Sequence, residues 1–282
     1  MSHGSPRQLL EKYGLRPKKS WGQNFLSDEA ILDDIARLAV DRPGERVVEL
    51  GAGLGHLTAR LLARGADVVA VERDRDMARV LRGEFGEAIH LCEADAARVD
   101  FSRLAAAASG GGARPLAVVG NIPYHLTSPI LFSLLEQAKA VSRAVLLLQR
   151  EVAERLAASP GTKEWGVVSV LLQQTARVAI ERIVPPGAFH PPPRVESAVV
   201  RVDFGVRAPA CADPERFRRM VKAGFGQRRK TLRNALESAR VAAREEMALA
   251  LERASIDPSR RGETLSVEEW EALDRAVSGR PG

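Results

Sequence analysis

The sequence predicts an α/β fold: a parallel sheet with helices on both faces, joined to a small all-α carboxy-terminal domain. Three observations lead there. Short apolar runs alternate with segments of helical period from Arg46 to Leu148, as in a doubly wound sheet. Polar residues (Glu49, Glu72, Asp95 and Asn121) fall at the carboxyl ends of those runs, where such sheets bind ligands. After Val206-Arg207-Ala208-Pro209 the β-branched runs stop and only helical periodicity remains. The boundary is therefore drawn between 207 and 208, giving domains of residues 1–207 and 208–282.

The elements follow in order. After a basic tail, Ser27 or Asp28 caps a helix whose apolar residues Ile31, Leu32, Ile35, Leu38 and Ala39 keep a 3.6 period. Pro43-Gly44 closes that segment, and Arg46–Leu50 reads as a short buried strand running into Gly51-Ala-Gly53-Leu-Gly55. Leu57, Leu61 and Leu62 mark the next helix, with Gly65 as its carboxy-terminal cap. Asp67–Val71 is a second strand, Met77, Val80 and Leu81 lie on a helix, and Ile89–Cys92 is a third strand. Ala105–Ala113 reads as a helix end and a flexible loop before a fourth strand, Leu116–Val119. A helix with Ile130, Leu131, Leu134 and Leu135 leads to a fifth strand, Ala144–Leu148. Val167–Gln174 looks helical, and Ala179–Val184 and Ser197–Phe204 look like late strands added to the sheet. Between these last two, Phe189-His-Pro-Pro-Pro193 is a stiff turn that cannot be a central strand. Ser266 caps the final helix.

Composition narrows the function. Hydrophobic residues make up 45% and charged residues 28% of the 282, which fits a globular chain and excludes a disordered one. The two cysteines, Cys92 and Cys211, have no histidine at ligand spacing, which excludes a disulfide framework and a cysteine-type zinc site. No metal is expected. No apolar run reaches the roughly 18 residues of a membrane span, and the first 19 residues lack a signal-peptide core. The expectation is a soluble, cytoplasmic monomer.

Lys and Arg exceed Asp and Glu by 42 to 36, a net charge of +6. The excess is concentrated. Arg7, Lys12, Arg16, Lys18 and Lys19 face one acid before residue 20, and eight basic residues between Pro214 and Asn234 face only Glu215. Two such clusters favour a polyanion, because lysine and arginine on a phosphate backbone give affinity without sequence choice. A membrane surface is less suited, since neither cluster lies on an amphipathic helix with aromatic anchors.

The pocket chemistry starts from the glycine loop. Glu72 lies 21 residues after Gly51, at the end of the second strand, where an acid accepts ribose hydroxyls. That points to an adenosine-containing ligand. A dinucleotide fingerprint would need glycine at position 56, which is His56, and the loop continues Leu57-Thr-Ala-Arg60 without a phosphate-binding lysine. The Glu49-Leu-Gly51-Ala-Gly53 form resembles the S-adenosylmethionine-dependent methyltransferases, in which Gly51 and Gly53 admit the methionine part. Glu72 then suits the ribose and Asp95 the adenine amine, although Asp95 alone is also a good helix cap.

Asn121-Ile122-Pro123-Tyr124 is the most informative tetrapeptide. Proline fixes the turn so that the Ile122 carbonyl and the Asn121 side-chain oxygen point into one pocket. Two acceptors suit an exocyclic amine, and accepting both hydrogens favours a tetrahedral nitrogen whose lone pair attacks a sulfonium methyl. Positioning and electrostatics carry such a reaction without a metal or strong base. Tyr124 offers a face for base stacking, and Phe189 is the candidate for the opposite face.

With these segments in place, the chain resembles the ribosomal RNA adenine N6-dimethyltransferases of the small-subunit (16S) type. The resemblance rests on Gly22-Gln-Asn24-Phe25-Leu26, Glu49–Gly53, Glu72-Arg-Asp74, Asp95-Ala96, Gly120–Tyr124, Gln149-Arg-Glu151, Phe189–Pro193 and Phe225-Gly-Gln-Arg-Arg-Lys-Thr231. They run in order through nearly the whole chain. The resemblance implies a Rossmann-like class I methyltransferase domain, a helical rRNA-binding domain, and S-adenosylmethionine as cofactor. It also implies two methyl transfers to each of two adjacent adenines near the 3′ end of small-subunit rRNA, in maturing 30S particles. It assigns cofactor contacts to Asn24 and Leu26, which the residues alone do not reveal. Among the basic residues, Lys18, Lys19, Arg228, Arg229, Lys230 and Arg233 are the candidate RNA contacts. His125 and Val119 stand where asparagine and phenylalanine are frequent in the family. Two alternatives stay open: a large-subunit rRNA dimethyltransferase of macrolide-resistance type, and a non-catalytic ribosome assembly factor.

Overall fold

The computed structural model describes residues 3–18, 21–107, 114–227 and 229–279. The amino-terminal segment is more than a tail. Helix α1 (Pro6–Lys12) starts on a capping box in which Ser5 and Gln8 satisfy each other's backbone N–H. Its Leu9 and Leu10 are buried with Phe25, Leu54, Met77 and Val80. The strand β1 (Phe25–Leu26) and helix α2 (Glu29–Ala39) follow. Asp28 caps α2, accepting from the Ile31 N–H at 3.0 Å.

Strands and helices then alternate as their periodicity dictates: β2 (Arg46–Leu50), α3 (His56–Ala63), β3 (Asp67–Val71), α4 (Arg75–Phe85) and β4 (His90–Cys92). The series continues with α5 (Phe101–Ala106), β5 (Leu116–Asn121), α6 (Thr127–Glu136) and β6 (Val141–Gln149). Most of the expected loop after α5, residues 108–113, lies outside the described residues. Helices α7 (Arg150–Leu156) and α8 (Val167–Gln173) precede β7 (Ala176–Val184), β8 (Phe189–His190) and β9 (Ser197–Phe204). Four helices complete the chain: α9 (Pro214–Gly226), α10 (Leu232–Ser238), α11 (Arg244–Arg253) and α12 (Val267–Val277).

Seven strands form one sheet in the order β4-β3-β2-β5-β6-β9-β7. The pairings from β4 to β6 are parallel, and β9 runs antiparallel to β6. The late strands therefore extend the sheet at one edge and make it mixed. Beside β2 the order reverses, with β3 on one side and β5 on the other, which opens a crevice at their carboxyl ends. Alternate residues Val68, Ala70, Ala117, Val119, Val145 and Leu147 share a core with Ile31, Ile35 and Leu61 of the covering helices. The intervening Val69, Val71, Val118 and Leu146 are buried too, so both faces are covered. The Phe189–Pro193 segment stays out of this sheet: β8 pairs antiparallel with β1, Leu26 opposite Phe189 and Phe25 opposite His190.

The division into units is not a single cut at 207/208. Met1–Ala153 with Val178–Gly205 forms one compact unit, and Glu154–Arg177 with Val206–Gly282 forms the other. Residues 154–177 join the helical unit because their packing partners are there. Trp165 is fully buried and its indole N–H donates to the Leu265 carbonyl at 3.0 Å, while the Gly161 N–H donates to the Glu263 carbonyl. A boundary read along the chain misses a unit assembled from two separated pieces. Within it, the buried Asp274 accepts from the Ala212 and Asp213 N–H groups and from Arg216 Nε at 2.8 Å. Arg216, one of the basic cluster, is thus structural. Among the described residues no helix is long and apolar enough to cross a membrane.

A buried arginine fastens the amino ends of the sheet. Arg143 on β6 is 5% exposed and donates to the Ala39 carbonyl at 2.8 Å, to Glu45 at 2.6 Å and to Asp41 at 2.7 Å. It ties the end of α2 to the loop before β2. Removing one partner of a buried pair leaves the other charge uncompensated. Arg143→Met is expected to lower unfolding free energy by about 2–4 kcal/mol, read from the urea midpoint; a shift below about 0.5 kcal/mol would contradict this role.

Candidate active site

The crevice at the switch point is a cavity of about 370 Å³. Every residue expected to hold a cofactor lines it: Asn24 before β1, Leu26 ending it, Gly51 and Gly53 after β2, Glu72 after β3, Asp95 after β4 and Asn121 ending β5. Ile122, Pro123, Tyr124 and Phe189 line it as well.

Glu72 is held by two backbone donors. Its two carboxylate oxygens accept from the Gly53 N–H at 2.9 Å and the Asp74 N–H at 2.7 Å. Gly53 makes this possible with φ +57° and no Cβ, which would lie 3.3 Å from the Phe25 ring. Burial raises the Glu72 pKa, and the two backbone donors act the other way. Glu49 lies deeper, 2% exposed, and accepts from the Thr58 hydroxyl at 2.6 Å. Burial, reinforced by the neighbouring Glu72 charge, pushes its pKa up to about 8. At neutral pH this carboxyl carries a proton.

Asp95 takes the helix-cap role considered for it, and it also faces an arginine. One oxygen caps the short turn at Ala96–Arg98 by accepting from the Ala97 N–H, and the other lies 3.3 Å from an Arg73 guanidinium nitrogen. Arg73 also lies 5.7 Å from the ring centroid of Trp21, and both line the cavity. Sequence reasoning missed this pair, although each adjoins a recognised motif, at Trp21-Gly22 and Glu72-Arg73. His56, which breaks the dinucleotide pattern, opens α3 and bonds the Gly4 carbonyl at 2.9 Å. Burial lowers its pKa to about 4, so the imidazole is neutral.

The Asn121 amide is oriented by its partner: Nδ2 donates to the Asn24 carbonyl at 2.9 Å, which leaves Oδ1 as the acceptor for a ligand. Gly120 sets up this position, since a Cβ there would lie 2.5 Å from the Leu50 carbonyl oxygen. Any side chain would push β5 away from β2. The Ile122 N–H donates to the Leu147 carbonyl, and the Pro123 carbonyl accepts from the Leu126 N–H. The Tyr124 hydroxyl is 3.4 Å from that of Ser197, and the buried Phe189 is anchored through the β1–β8 ladder.

The basic residues divide. Lys18, expected to contact RNA, instead places its ammonium 2.7 Å from both Asp74 and Asp76. Arg229 and Lys230 are exposed, with Lys230 3.3 Å from the Ser238 hydroxyl. Arg233 pairs with Glu237 one helical turn on. Arg218, Arg219 and Lys222 of α9 are exposed beside them in sequence. Lys19 and Arg228 lie outside the described residues. Among the described residues no group of three or more His, Cys, Asp or Glu is placed to hold a metal ion.

A doubly wound sheet with this glycine loop, acids ending the next two strands and Asn-Ile-Pro-Tyr after the fourth defines a class I methyltransferase. Comparison with known proteins narrows the class. The family described as "Ribosomal RNA adenine dimethylase" matches residues 14–273. "Ribosomal RNA small subunit methyltransferase A" of Anaeromyxobacter dehalogenans (strain 2CP-C) is 69% identical over 278 residues, 97% of this chain and 98% of that protein. The protein of the same name from Myxococcus xanthus is 50% identical over 97% of this chain and 95% of its own length. Among solved structures, the 23S rRNA methyltransferase ErmE is 27% identical with a TM-score of 0.70, covering 90% of this chain and 100% of that one. A dimethyladenosine transferase from Plasmodium falciparum, 22% identical, shares the fold with a TM-score of 0.73 over 88% of this chain and 95% of its own. The chain belongs to the ribosomal RNA adenine dimethylases, a family of S-adenosylmethionine-dependent enzymes.

The buried acid gives a pH signature. The folded protein keeps the Glu49 proton up to about pH 8, whereas an ordinary glutamate releases it near 4.5. The neutral form's contribution to stability is complete below the lower value and is lost as pH rises through the upper one. The urea midpoint of the ligand-free protein is expected to fall more steeply between pH 5 and 8.5 than that of Glu49→Gln. Equal slopes would contradict a buried, protonated Glu49.

Proposed function

We propose that this protein binds S-adenosylmethionine in the cavity. It uses the cofactor to dimethylate the exocyclic N6 amines of two adjacent adenines near the 3′ end of small-subunit rRNA, in maturing 30S particles. The observation that carries the chemistry is the orientation of Asn121, whose amide is fixed with its oxygen free in the same cavity as the preorganised Glu72. The small-subunit choice is supported by the 69% and 50% identical relatives, whose names carry that substrate. The protein is read as a cytoplasmic monomer that contributes to ribosome biogenesis.

The residues present fit the cofactor. Glu72 offers carboxylate oxygens to ribose hydroxyls, Asp95 suits the adenine amine, and Gly51 and Gly53 admit the methionine part alongside Asn24 and Leu26. When bound, the cofactor supplies an electrophilic methyl group. The chain's own task is to present the amine. Asn121 Oδ1 and the Ile122 carbonyl accept its two hydrogens, drawing the nitrogen lone pair out of the purine ring and making it nucleophilic. Tyr124 supplies a stacking face, with Phe189 as the second aromatic wall. Fixed acceptors need no reorganisation during reaction, which is where such sites gain most of their rate. Because the reacting amine pairs in a duplex, the target adenine must be unpaired or extruded. Arg229, Lys230 and Arg233, with Lys19 and Arg228, are the proposed phosphate contacts.

The test is transfer of labelled methyl from S-adenosylmethionine to unmethylated 30S particles, with 50S particles and naked rRNA in parallel. Dimethyladenosine formed only with 30S is the expected result. Label on large-subunit RNA would move the protein to the activity named for ErmE, and particle binding without label would favour an assembly factor. Tyr124→Ala is expected to lower turnover roughly 10- to 100-fold, the scale of one lost base stack, with cofactor affinity changed less than about twofold. Equal loss of both would remove Tyr124 from the target base.

A further inference from the structure

The sequence places Lys18 among basic residues expected to meet RNA, yet its ammonium is engaged by Asp74 and Asp76. Asp74, the amino-terminal cap of α4, is 2% exposed and gathers three contacts. Lys18 Nζ lies 2.7 Å from one carboxylate oxygen, which also accepts from the Asp76 N–H at 3.0 Å. The Gln23 amide donates to the other at 2.8 Å. Gln23 in turn accepts from the Lys18 main-chain N–H at 2.8 Å, so Lys18, Gln23 and Asp74 close a ring of hydrogen bonds.

That ring leads directly to the ligand side. The Asp74 main-chain N–H is one of the two donors that hold the Glu72 carboxylate. The Lys18 ammonium also lies 5.5 Å from the ring centroid of Trp21, a wall of the same cavity. Lys18 is the cation that touches both Asp74 and Asp76. Without it, Asp74 would keep its buried position with no positive partner in contact among the described residues, an arrangement that favours rearrangement of the cap. A shift of the cap moves the N–H that orients Glu72.

We propose that Lys18 is a positioning residue for the cofactor, acting through Asp74 to hold the Glu72 carboxylate in place, and not a phosphate contact. This rests on the reading that the cavity takes S-adenosylmethionine. The experiment uses the full chain and S-adenosylhomocysteine as the calorimetric probe, with Lys18→Met, Lys18→Arg, Asp74→Asn and the Lys18→Met/Asp74→Asn double variant.

Lys18→Met is expected to weaken binding of the probe roughly tenfold, the scale of one charge-assisted hydrogen bond. The cofactor KM should rise in parallel, with kcat at saturating cofactor held within about twofold. Lys18→Arg should restore most of the affinity. Asp74→Asn should match Lys18→Met, and the double variant should be no weaker than either alone, because both break one connection. The slope of log 30S affinity against log salt should stay unchanged in Lys18→Met. Unchanged probe affinity in Lys18→Met, with a salt slope reduced by about one, would make Lys18 a phosphate contact and overturn the proposal. Strictly additive losses would overturn the route through Asp74. Failure of the wild-type chain to bind the probe at all would instead sink the cofactor reading, and this proposal with it.

Discussion

One hydrogen bond decides which way the Asn121 amide is turned in the cavity, that from Nδ2 to the Asn24 carbonyl. An asparagine amide turned the other way would present a donor where the proposed amine substrate needs an acceptor. The rest of the site serves this contact from two directions. On one side, Gly120 lets β5 pass so close to the Leu50 carbonyl that Asn121 reaches the cavity. On the other, Asn24 is held because β1 next to it pairs with β8, and β8 carries Phe189. The two-stranded ladder looks incidental beside a seven-stranded sheet. It is the element that brings residue 24 and residue 189 to the same cavity.

The electrostatics of the crevice follow from crowding acids where strands end. Glu49 and Glu72 come from adjacent parallel strands, and both are buried. Burial raises the pKa of both, and their partners differ. Glu72 has two backbone donors that favour its charged form. Glu49 has a hydroxyl and deeper burial, and keeps its proton to about pH 8. The same end of the sheet is bounded by cations, with Arg73 against Asp95 and Lys18 against Asp74. The cavity thus holds two buried carboxyls, each with defined hydrogen-bond partners.

The sheet was legible because its strands are runs of Val, Ala and Leu separated by amphipathic helices, and burial on both faces leaves no other pattern. Gly51, Gly53, Glu72, Asp95 and Asn121 were legible because parallel strands put ligands at their carboxyl ends. Asn24 was not, since its place depends on a two-residue ladder with residues more than 160 positions away. Helix α1 carried a signal that charge obscured: Ser5-Pro6-Arg7-Gln8 is a capping box with proline in the first turn. Lys18 has partners that were hidden for the same reason. A count of charges along the chain sees a basic run, whereas the fold brings Asp74 and Asp76 to it from another element. Residues 154–177 were assigned by adjacency, but Trp165 finds its carbonyl partner at Leu265, 100 residues on.

Arg216 and Lys18 together show how such a chain must sort its basic residues. A cation with a buried carboxylate partner is held in one geometry and contributes to architecture, as Arg216 does against the fully buried Asp274. A cation that is to neutralise phosphate must remain hydrated until the polyanion arrives, because binding draws its strength from released counterions and not from a preformed cavity. Exposed Arg218, Lys222, Arg229 and Lys230 meet that condition. The two kinds are indistinguishable by residue type or local density. They separate only when the acids are placed, and in this protein the acids come from distant segments: Asp74 for Lys18 and Asp274 for Arg216. Part of the basic excess is therefore paired within the fold, and the exposed Arg218, Lys222, Arg229 and Lys230 lie on the helical unit.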